Sequence, residues 1–580
     1  MTMQTNSILY SEIKKIVWAF ADMVRDKGNG TVEDYAKIVL PTCLVKRTLD
    51  LQAEFNKNNG SSFFELVEMG ASSDEQALSD INLKSYRFYD NNSIKENNLQ
   101  PSIVLITWAD LMGFQDNPNG DERQVGVGQE GSKRLMFNQV YVTKAKNFVE
   151  LMFEIIEALN TTMKHVFTTF EYRQLILQKN IVPFSEFYKT CHAELSKYEF
   201  NMENISTDMF SDIYMDLMGR FASDAGKKGG EFFTPTPLVK NAWQFTDIKD
   251  YARKLISGQK THISIGDPTS GSNTFLIYGY DLIMAECEKM EPGKVSKAVF
   301  SFYGQELKAF QYCLGLINMI FHNTIDTYNA GIEISDQNSN VITDYKNGIG
   351  RMRGQLDIVV ANPPYGTKNY GIEYAQANKS KDDRWKFGVP KKAEGEYAFL
   401  MTIYDLLNKQ GKAVIVMPLG TLFRDSAKEI RKHLLQEDII EGIVTLPGNM
   451  FLTTSIPVVL WILNKDKKEA DKGKVFMVNA SKDFKKVGKF NNWQEQKAIQ
   501  NYLERIEEVD YCGYADFATL EKNKFNLSVQ RYFSKEKEKE IVDIVSLEKE
   551  IIELETNLVA KKSQMNSLIS QVLALEVSDE

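Results

Sequence analysis

Short apolar runs alternate with helical segments across residues 262–462, and this alternation limits the fold more than any other feature of the chain. The β-like runs are His262–Ile265, Val299–Tyr303, Leu356–Val360, Lys412–Met417, Gly442–Leu446 and Val458–Ile462. Between them, apolar residues recur at helical spacing over Thr274–Glu288, Ala309–His322, Tyr397–Lys409 and Asp425–Gln436. Such alternation predicts an α/β fold on a mostly parallel, doubly wound sheet. Sheets of that kind bind ligands outside the carboxyl ends of their strands, so chemistry is expected just after each run. A helical pattern through Phe210, Ile213, Leu217 and Phe221, then Gly226-Lys-Lys-Gly-Gly230, leads into the region.

The flanks read differently. Before residue 200 helical periodicity dominates, as in Ile16, Val17, Phe20 and Val24, and again in Val39, Leu40, Leu44 and Leu49. Asn56–Ser62 and Asp116–Asp121 are turn clusters, and Tyr141–Tyr172 returns to a helical pattern. His165 and His192 stand alone, as surface or capped residues do. Near the end, Ile544, Ile551, Leu558, Met565 and Val572 share one heptad position; Leu547, Leu554, Lys561, Leu568 and Leu575 share the other. That pattern predicts a coiled coil whose apolar seam is buried by another chain or segment; a lone amphipathic helix on its own domain is the alternative. The expected division is a helical N-terminal domain over 1–199, an α/β domain over 200–465, a tail over 466–535 and a pairing helix over 536–580.

Charge narrows the possible partners. The chain has 69 basic and 78 acidic side chains, net −9. A protein that held DNA through its overall field would be basic, so any nucleic-acid contact must use a local positive surface or a partner's. The longest apolar stretch, Ile456–Leu463, is far short of a membrane span, and Met1–Tyr10 lacks a basic-then-apolar leader. Five scattered cysteines without a CxxC pair argue against a disulfide framework or a zinc site and fit a reducing cytoplasm.

Two strand ends carry chemistry. After the first run, Ile265-Gly-Asp-Pro-Thr-Ser-Gly-Ser-Asn273 opens a helix, where glycine permits close ligand approach and unpaired N–H groups face outward. It matches neither the dinucleotide nor the nucleoside-triphosphate glycine pattern. Glu306, ending the second run, is placed to accept from a ribose diol; a tight turn and a surface Glu is the plainer reading. The sharper motif is Asp357-Ile-Val-Val-Ala-Asn-Pro-Pro-Tyr365. Proline is scarce here, 14 in 580 residues, so a Pro-Pro pair directly after a buried strand is informative. The amine of adenine is a poor nucleophile because its lone pair is delocalised into the ring. Asn362 can accept one of its N–H bonds and the rigidly held Pro363 carbonyl the other. Both bonds favour a pyramidal nitrogen with an outward lone pair, and Tyr365 can stack on the base. Such a base must first leave its duplex. A rigid turn at a strand end is the alternative.

In order, Gly230-Glu-Phe-Phe-Thr-Pro235, Asp267-Pro-Thr-Ser-Gly-Ser272, Glu306 and Asn362-Pro-Pro-Tyr365 resemble the γ-class DNA adenine-N6 methyltransferases. With Glu396–Leu400, Gly411–Pro418, Leu446–Phe451, Thr454–Pro457 and Asn526–Tyr532, the chain more closely resembles the modification subunit of type I restriction–modification systems. The resemblance implies a Rossmann-like S-adenosylmethionine-dependent methyltransferase sheet, preceded by a helical domain and followed by a coiled-coil helix. It implies cofactor binding by Glu231, Phe232, Phe233, Thr234, Pro235 and Thr236 and by Asp267, Thr269, Gly271 and Ser272, with Glu306 on the ribose and Asp336 near the adenine. It makes Asn362, Pro363, Pro364 and Tyr365 catalytic, Tyr365 and Phe451 base-stacking, and requires no metal. Asn273 stands where the family has a second glycine, Ser270 where it often has a thiol, and Ser335-Asp336-Gln337 departs from its third motif.

Gly366–Lys392 holds seven basic residues, Lys368, Lys379, Lys381, Arg384, Lys386, Lys391 and Lys392, against Glu373, Asp382 and Asp383, which suits a phosphate-contacting or base-extruding loop; a solvated loop is the alternative. No target-recognition domain and no P-loop motif is visible. The resemblance therefore implies double-stranded DNA as substrate, a separate sequence-specificity subunit carrying two copies of this chain, and an ATP-dependent restriction subunit as a further associate. Two rivals are a methyltransferase acting on a protein glutamine amide and a non-catalytic assembly subunit with a degenerate cofactor pocket.

Overall fold

The computed structural model describes residues 11–12, 14–22, 32–71, 89–125, 141–178, 184–200, 234–295, 300–321, 332–335, 340–451, 456–487, 490–533 and 544–576. A nine-stranded sheet dominates them. Its strands are β1 (Ile263–Asp267), β2 (Phe300–Gln305), β3 (Ile332–Ser335), β4 (Leu356–Ala361), β5 (Leu407–Pro418), β6 (Ile440–Thr445), β7 (Val458–Asn464), β8 (Lys474–Asn479) and β9 (Cys512–Asp516). They lie in the order β9-β8-β6-β7-β5-β4-β1-β2-β3. β7 runs antiparallel between β5 and β6, and β9 antiparallel to β8; all other neighbours are parallel. The chain builds outward from β1 to β3 on one side and from β4 to β5 on the other. The switch in direction opens a crevice at the carboxyl ends of β1 and β4.

Both faces of the sheet are covered, which explains why its strands read as continuous apolar runs. Ile358, Val360, Val414 and Val416 enter one core, while Val359, Ala413, Ile415 and Met417 enter the other. At the amino edge, the buried Asp357 carboxylate accepts from Ser264 N (2.8 Å), Ser264 Oγ (3.0 Å), Lys260 Nζ (2.7 Å) and Asn408 Nδ2 (2.7 Å). These bonds tie β1, β4 and the start of β5 together and hold the register Ile265 opposite Ile358 and Gly266 opposite Val359. Glycine at 266 leaves room for Leu356: a Cβ would lie 2.3 Å from Leu356 Cδ1 and would displace that side chain.

The helical N-terminal part contains α1 (Val32–Ala71), α2 (Phe148–Ala158), α3 (Thr161–Thr169) and α4 (Tyr172–Leu177). Four helices then cover the sheet's first half: α5 (Thr236–Gln244), α6 (Ile248–Ile256), α7 (Thr274–Met290) and α8 (Ala309–Phe321). α9 (Gly395–Leu406), α10 (Lys428–Gln436), α11 (Gln496–Glu504) and α12 (Ile544–Glu576) follow. The N-terminal helices share one core with this side of the sheet; Phe170 stacks on Phe310 of α8 at 5.3 Å, and the His165 ring meets Tyr312 edge-on at 5.5 Å.

Three expectations change. Asn56–Ser62 lies inside α1 rather than in a turn, because lengthening an existing helix costs less than the weak helix propensities of Asn and Gly suggest. Tyr141–Thr143 is a strand paired with Arg123–Val125, and helix begins only at α2, where the Asn147 side chain accepts from Val149 N and Glu150 N. Residues 466–535, set apart above as a tail, supply β8 and β9, with α11 against the sheet. Val475–Val478 is an apolar run pairing with β6, and β9 caps its outer edge.

No helix of the described residues is long and apolar enough to cross a membrane. All five cysteines are buried and free. α12 is one continuous helix, with Ile551, Leu554, Leu558, Met565 and Leu568 each more than half exposed.

Candidate active site

Three predicted elements meet at the carboxyl edge. Asp267 ends β1 opposite Gly304 of β2, Glu306 follows β2, and Asn362 follows β4, the other neighbour of β1. Asp267 is buried and accepts from Thr269 N (2.9 Å) and Thr269 Oγ1 (3.2 Å), which folds the loop back on its own strand. Burial pushes its carboxyl up to about 7, with the nearby Glu306 charge adding to the shift. Glu306 bridges two segments, since its Oε2 accepts from Gly271 N (2.9 Å) and its Oε1 from Lys308 N (2.9 Å). Burial raises this carboxyl too, opposed by those amide donors. Each oxygen keeps a lone pair for a ligand hydroxyl.

The departure at Asn273 has a structural answer. Its backbone is left-handed, φ 58° and ψ 15°, a conformation asparagine tolerates better than other residues with a side chain. It caps α7 in the place of a glycine, and Gly271 before it also has positive φ. Gly315 on α8 makes room for this turn, because a Cβ there would lie 2.7 Å from Asn273 Nδ2 and 2.8 Å from Gly271 O. Asn318, one turn on, donates to Ser272 O at 2.8 Å. Neither α8 residue was expected to matter; a glycine within the apolar run Cys313–Ile317 was the available signal. Ser270 Oγ and Asn273 Oδ1 are buried without a hydrogen-bond partner among the described residues. A buried carboxylate, a second one on the next strand, a positive-φ turn and an orphaned hydroxyl suit a ligand bearing hydroxyls and positive charge. The residues present fit the S-adenosylmethionine that the resemblance implies.

Beside this loop, the Asn362 side chain is held at both ends. Its Nδ2 donates to Thr234 Oγ1 at 2.9 Å, and its Oδ1 accepts from the Tyr365 hydroxyl at 2.5 Å. Two motifs 128 residues apart in sequence thus touch. One lone pair of Oδ1 stays open for a further donor. Burial raises the Tyr365 hydroxyl far above its ordinary value, so it remains a donor. Pro363 is buried and Pro364 exposed. Downstream, Gly366 N donates to Glu396 Oε1 at 3.0 Å, anchoring the turn to α9. The rings of Tyr365 and Phe451 stand 6.4 Å apart at 89°, so a planar group lying on one meets the edge of the other.

The other predicted residues divide into those outside the described part and those placed by it. Glu231, Phe232, Phe233 and Asp336 fall outside the described residues; Thr234 sits on Asn362, and Pro235 and Thr236 begin α5. In the basic segment after Tyr365, Arg384 is not available to phosphate. It is buried, paired with Asp382 at 2.7 Å and packed over Tyr345 at 3.9 Å, because a guanidinium flanked by aromatic rings and a carboxylate is better placed inside than a lysine. Lys386 pairs with Glu437 at 3.2 Å, whereas Lys368, Lys379, Lys381, Lys391 and Lys392 are exposed. Among the described residues no group of three or more His, Cys, Asp or Glu could hold a metal.

The model of the N-6 DNA methylase family matches residues 205–541, more than half of the chain. The MpnII methylase subunit of a type I restriction enzyme from Mycoplasma pneumoniae is 28% identical over 394 residues, 66% of this chain and 65% of that protein. The MjaVIII methylase subunit from Methanocaldococcus jannaschii is 29% identical over 379 residues, 64% of this chain and 61% of its own. The chain therefore spans less than two thirds of the length of these curated relatives. Among solved structures, a type I restriction–modification methyltransferase subunit from Streptococcus thermophilus shares the fold, with a TM-score of 0.63 and 23% identity over 90% of this chain and 99% of that one. The family match takes in the whole sheet together with the loops that carry Asp267, Glu306 and Asn362: this chain belongs to the N-6 DNA methylase family.

Proposed function

We propose that the chain transfers a methyl group from S-adenosylmethionine to the N6 amine of adenine in DNA, as the modification subunit of a type I restriction–modification complex acting in the cytoplasm. The observation that carries this reading is the doubly tethered Asn362 amide at the end of β4, next to the Asp267 carboxylate at the end of β1. The names of the methylase subunits it resembles support the same reaction and the same assembly.

The sulfonium supplies an activated methyl group when the cofactor is bound; the chain's task is placement. Asp267, Thr269, Gly271, Ser272 and Glu306 would bind it, with Thr234–Thr236 on the adjoining side. Asn362 Oδ1 and the Pro363 carbonyl accept the two N–H bonds of the extruded adenine, and Tyr365 and Phe451 flank its ring. Acceptors fixed in advance stabilise the positive charge that grows on nitrogen. Holding the amine in line could supply up to roughly 7–11 kcal/mol. Sequence choice falls to a specificity subunit, two copies of this chain to each, gripped through α12.

Single-molecule sequencing of DNA from cells with and without the gene tests the reading. One adenine-methylation motif should vanish with the gene. An unchanged set of methylated motifs would overturn it.

A further inference from the structure

A ribbon at the carboxyl edge leaves its whole first strand exposed. Residues 484–487 and 490–493 pair antiparallel, with Phe484 opposite Trp493, Lys485 opposite Asn492 and Lys486 opposite Asn491. All four residues of its first strand are exposed, Phe484 by 40% and Val487 by 60%. An isolated two-stranded hairpin is marginal in water and ordinarily survives by packing one face. Here side chains alternate, so Phe484 and Lys486 share one face and Lys485 and Val487 the other. On its first strand, each face therefore offers one exposed apolar group and one cation.

The root of the ribbon is firmly set. Trp493 is buried and stacks on Phe245, the ring planes within 3° at 6.3 Å. Gln494 N donates to Asp483 O at 2.7 Å, and the Tyr511 hydroxyl donates to the Asp483 carboxylate. The ribbon is also joined to the loop that carries Phe451. Asn491 N donates to Asn449 O at 3.1 Å, and Asn491 Nδ2 to Gly448 O at 2.8 Å. Lys482, Lys485 and Lys486 are exposed and make no ion pair among the described residues, in a chain whose net charge is −9.

We propose that this ribbon is a duplex-DNA grip: it enters a groove beside the extruded adenine, with Lys482, Lys485 and Lys486 on phosphates and Phe484 and Val487 against the groove wall. The inference rests on the DNA-adenine reading above and extends it. A two-stranded ribbon fits the major groove, and the local charge meets the requirement that an acidic chain set for any DNA contact. Lysine–phosphate contacts position a duplex without reading it, which matches a chain that leaves sequence choice to a partner. The Asn491 bonds to residues 448 and 449 fix the distance from the grip to Phe451, so a duplex held by the ribbon is held in register with the base pocket.

The test uses the complex as purified from its host and a labelled duplex bearing the sequence methylated in cells. The variant Lys482→Gln/Lys485→Gln/Lys486→Gln should raise the KM for DNA about tenfold and flatten the slope of log affinity against log salt by about 2.7, at about 0.9 per lost contact. kcat at saturating DNA and cofactor affinity should stay unchanged. Lys409→Gln/Lys522→Gln/Lys524→Gln, which removes equal charge at the amino edge, should alter neither KM nor slope. An unchanged slope in the ribbon variant would overturn the proposal. So would loss of partner subunits on size-exclusion chromatography with DNA affinity retained, which would make the ribbon a protein-docking strand. A wild-type complex with no adenine methylation would remove the functional reading itself; an active wild type with an indifferent ribbon variant would remove only this inference.

Discussion

The corner at residues 362–365 and the helix α12 are finished to different degrees. At the corner the Asn362 amide already has a partner at each end, and Glu396 pins the turn behind it. Along α12, Ile551, Leu554, Leu558, Met565 and Leu568 remain more than half exposed on a single helix. The difference separates what the chain does by itself from what it does in company. On the proposed function, reactive geometry is built internally, where low mobility matters, while the apolar seam is left for another chain or segment to cover.

The sharpest way to break this contrast is at the corner. Asn362→Ala should lower methyl transfer by about 10²- to 10³-fold, the cost typical of losing one preorganised charge-stabilising partner, with cofactor affinity intact by calorimetric titration. Turnover near the wild-type level would mean that the corner is a structural turn. At the other pole, Leu558→Lys/Met565→Lys should dissociate the chain from the specificity subunit proposed above. Burying each apolar side chain is worth about 1.5–3 kcal/mol, so the loss exceeds roughly a hundredfold in affinity. Size-exclusion chromatography reads it directly, and an intact complex would assign the seam to some other use. The isolated variant should bind cofactor as before.

The contrast also marks what could be read from sequence. Strands buried on both faces announce themselves: Ile358–Val360 and Ala413–Met417 need apolar residues at every position because cores lie above and below them. β9 does not, since an edge strand of composition Cys-Gly-Tyr-Ala-Asp carries no such demand. β8 was readable as Val475–Val478, but it follows an antiparallel strand that looked like the end of the sheet. At the candidate site, residue types and order singled out Asp267, Glu306 and Asn362 for a proposed role, and the sheet brings their strand ends to one edge. Contacts between distant segments were not readable. Nothing local says that Thr234 meets Asn362, that Gly315 yields space to Asn273, or that Arg384 turns inward between an aromatic ring and Asp382.

A smaller effect sharpens the account of the cofactor loop. Burial holds the Asp267 carboxyl at about 7, so near neutral pH about half of the free chain carries it protonated. Ligand donors favour the anion and lower that value, so binding expels a proton. Affinity should therefore rise with pH up to about 7 and then level off. Calorimetry in buffers of different ionisation enthalpy should detect the released proton. Asp267→Asn should weaken binding about tenfold and flatten the profile; a flat wild-type profile would place the ligand's donors elsewhere. Without ligand the sign is opposite. A carboxyl raised from 3.8 to about 7 gives its full stabilisation below 3.8 and loses it as pH rises through about 7.

The smallest expected change tests whether the corner is truly complete before substrate arrives. Tyr365→Phe keeps the ring beside Phe451 but removes the hydroxyl that donates to Asn362 Oδ1; Thr234→Val removes the acceptor at the other end of the amide. Each lost bond is worth about 0.5–1.5 kcal/mol, so each variant should lower kcat by about 2- to 10-fold and leave the KM for DNA in place. The two variants act on one side chain, so the double variant should fall short of the product of the single effects. If instead Tyr365→Phe raised kcat, the hydroxyl would be competing with the adenine amine for Oδ1 rather than aiming it. The corner would then be a latch that substrate opens, closer in character to the unfinished helix than to a site complete in advance.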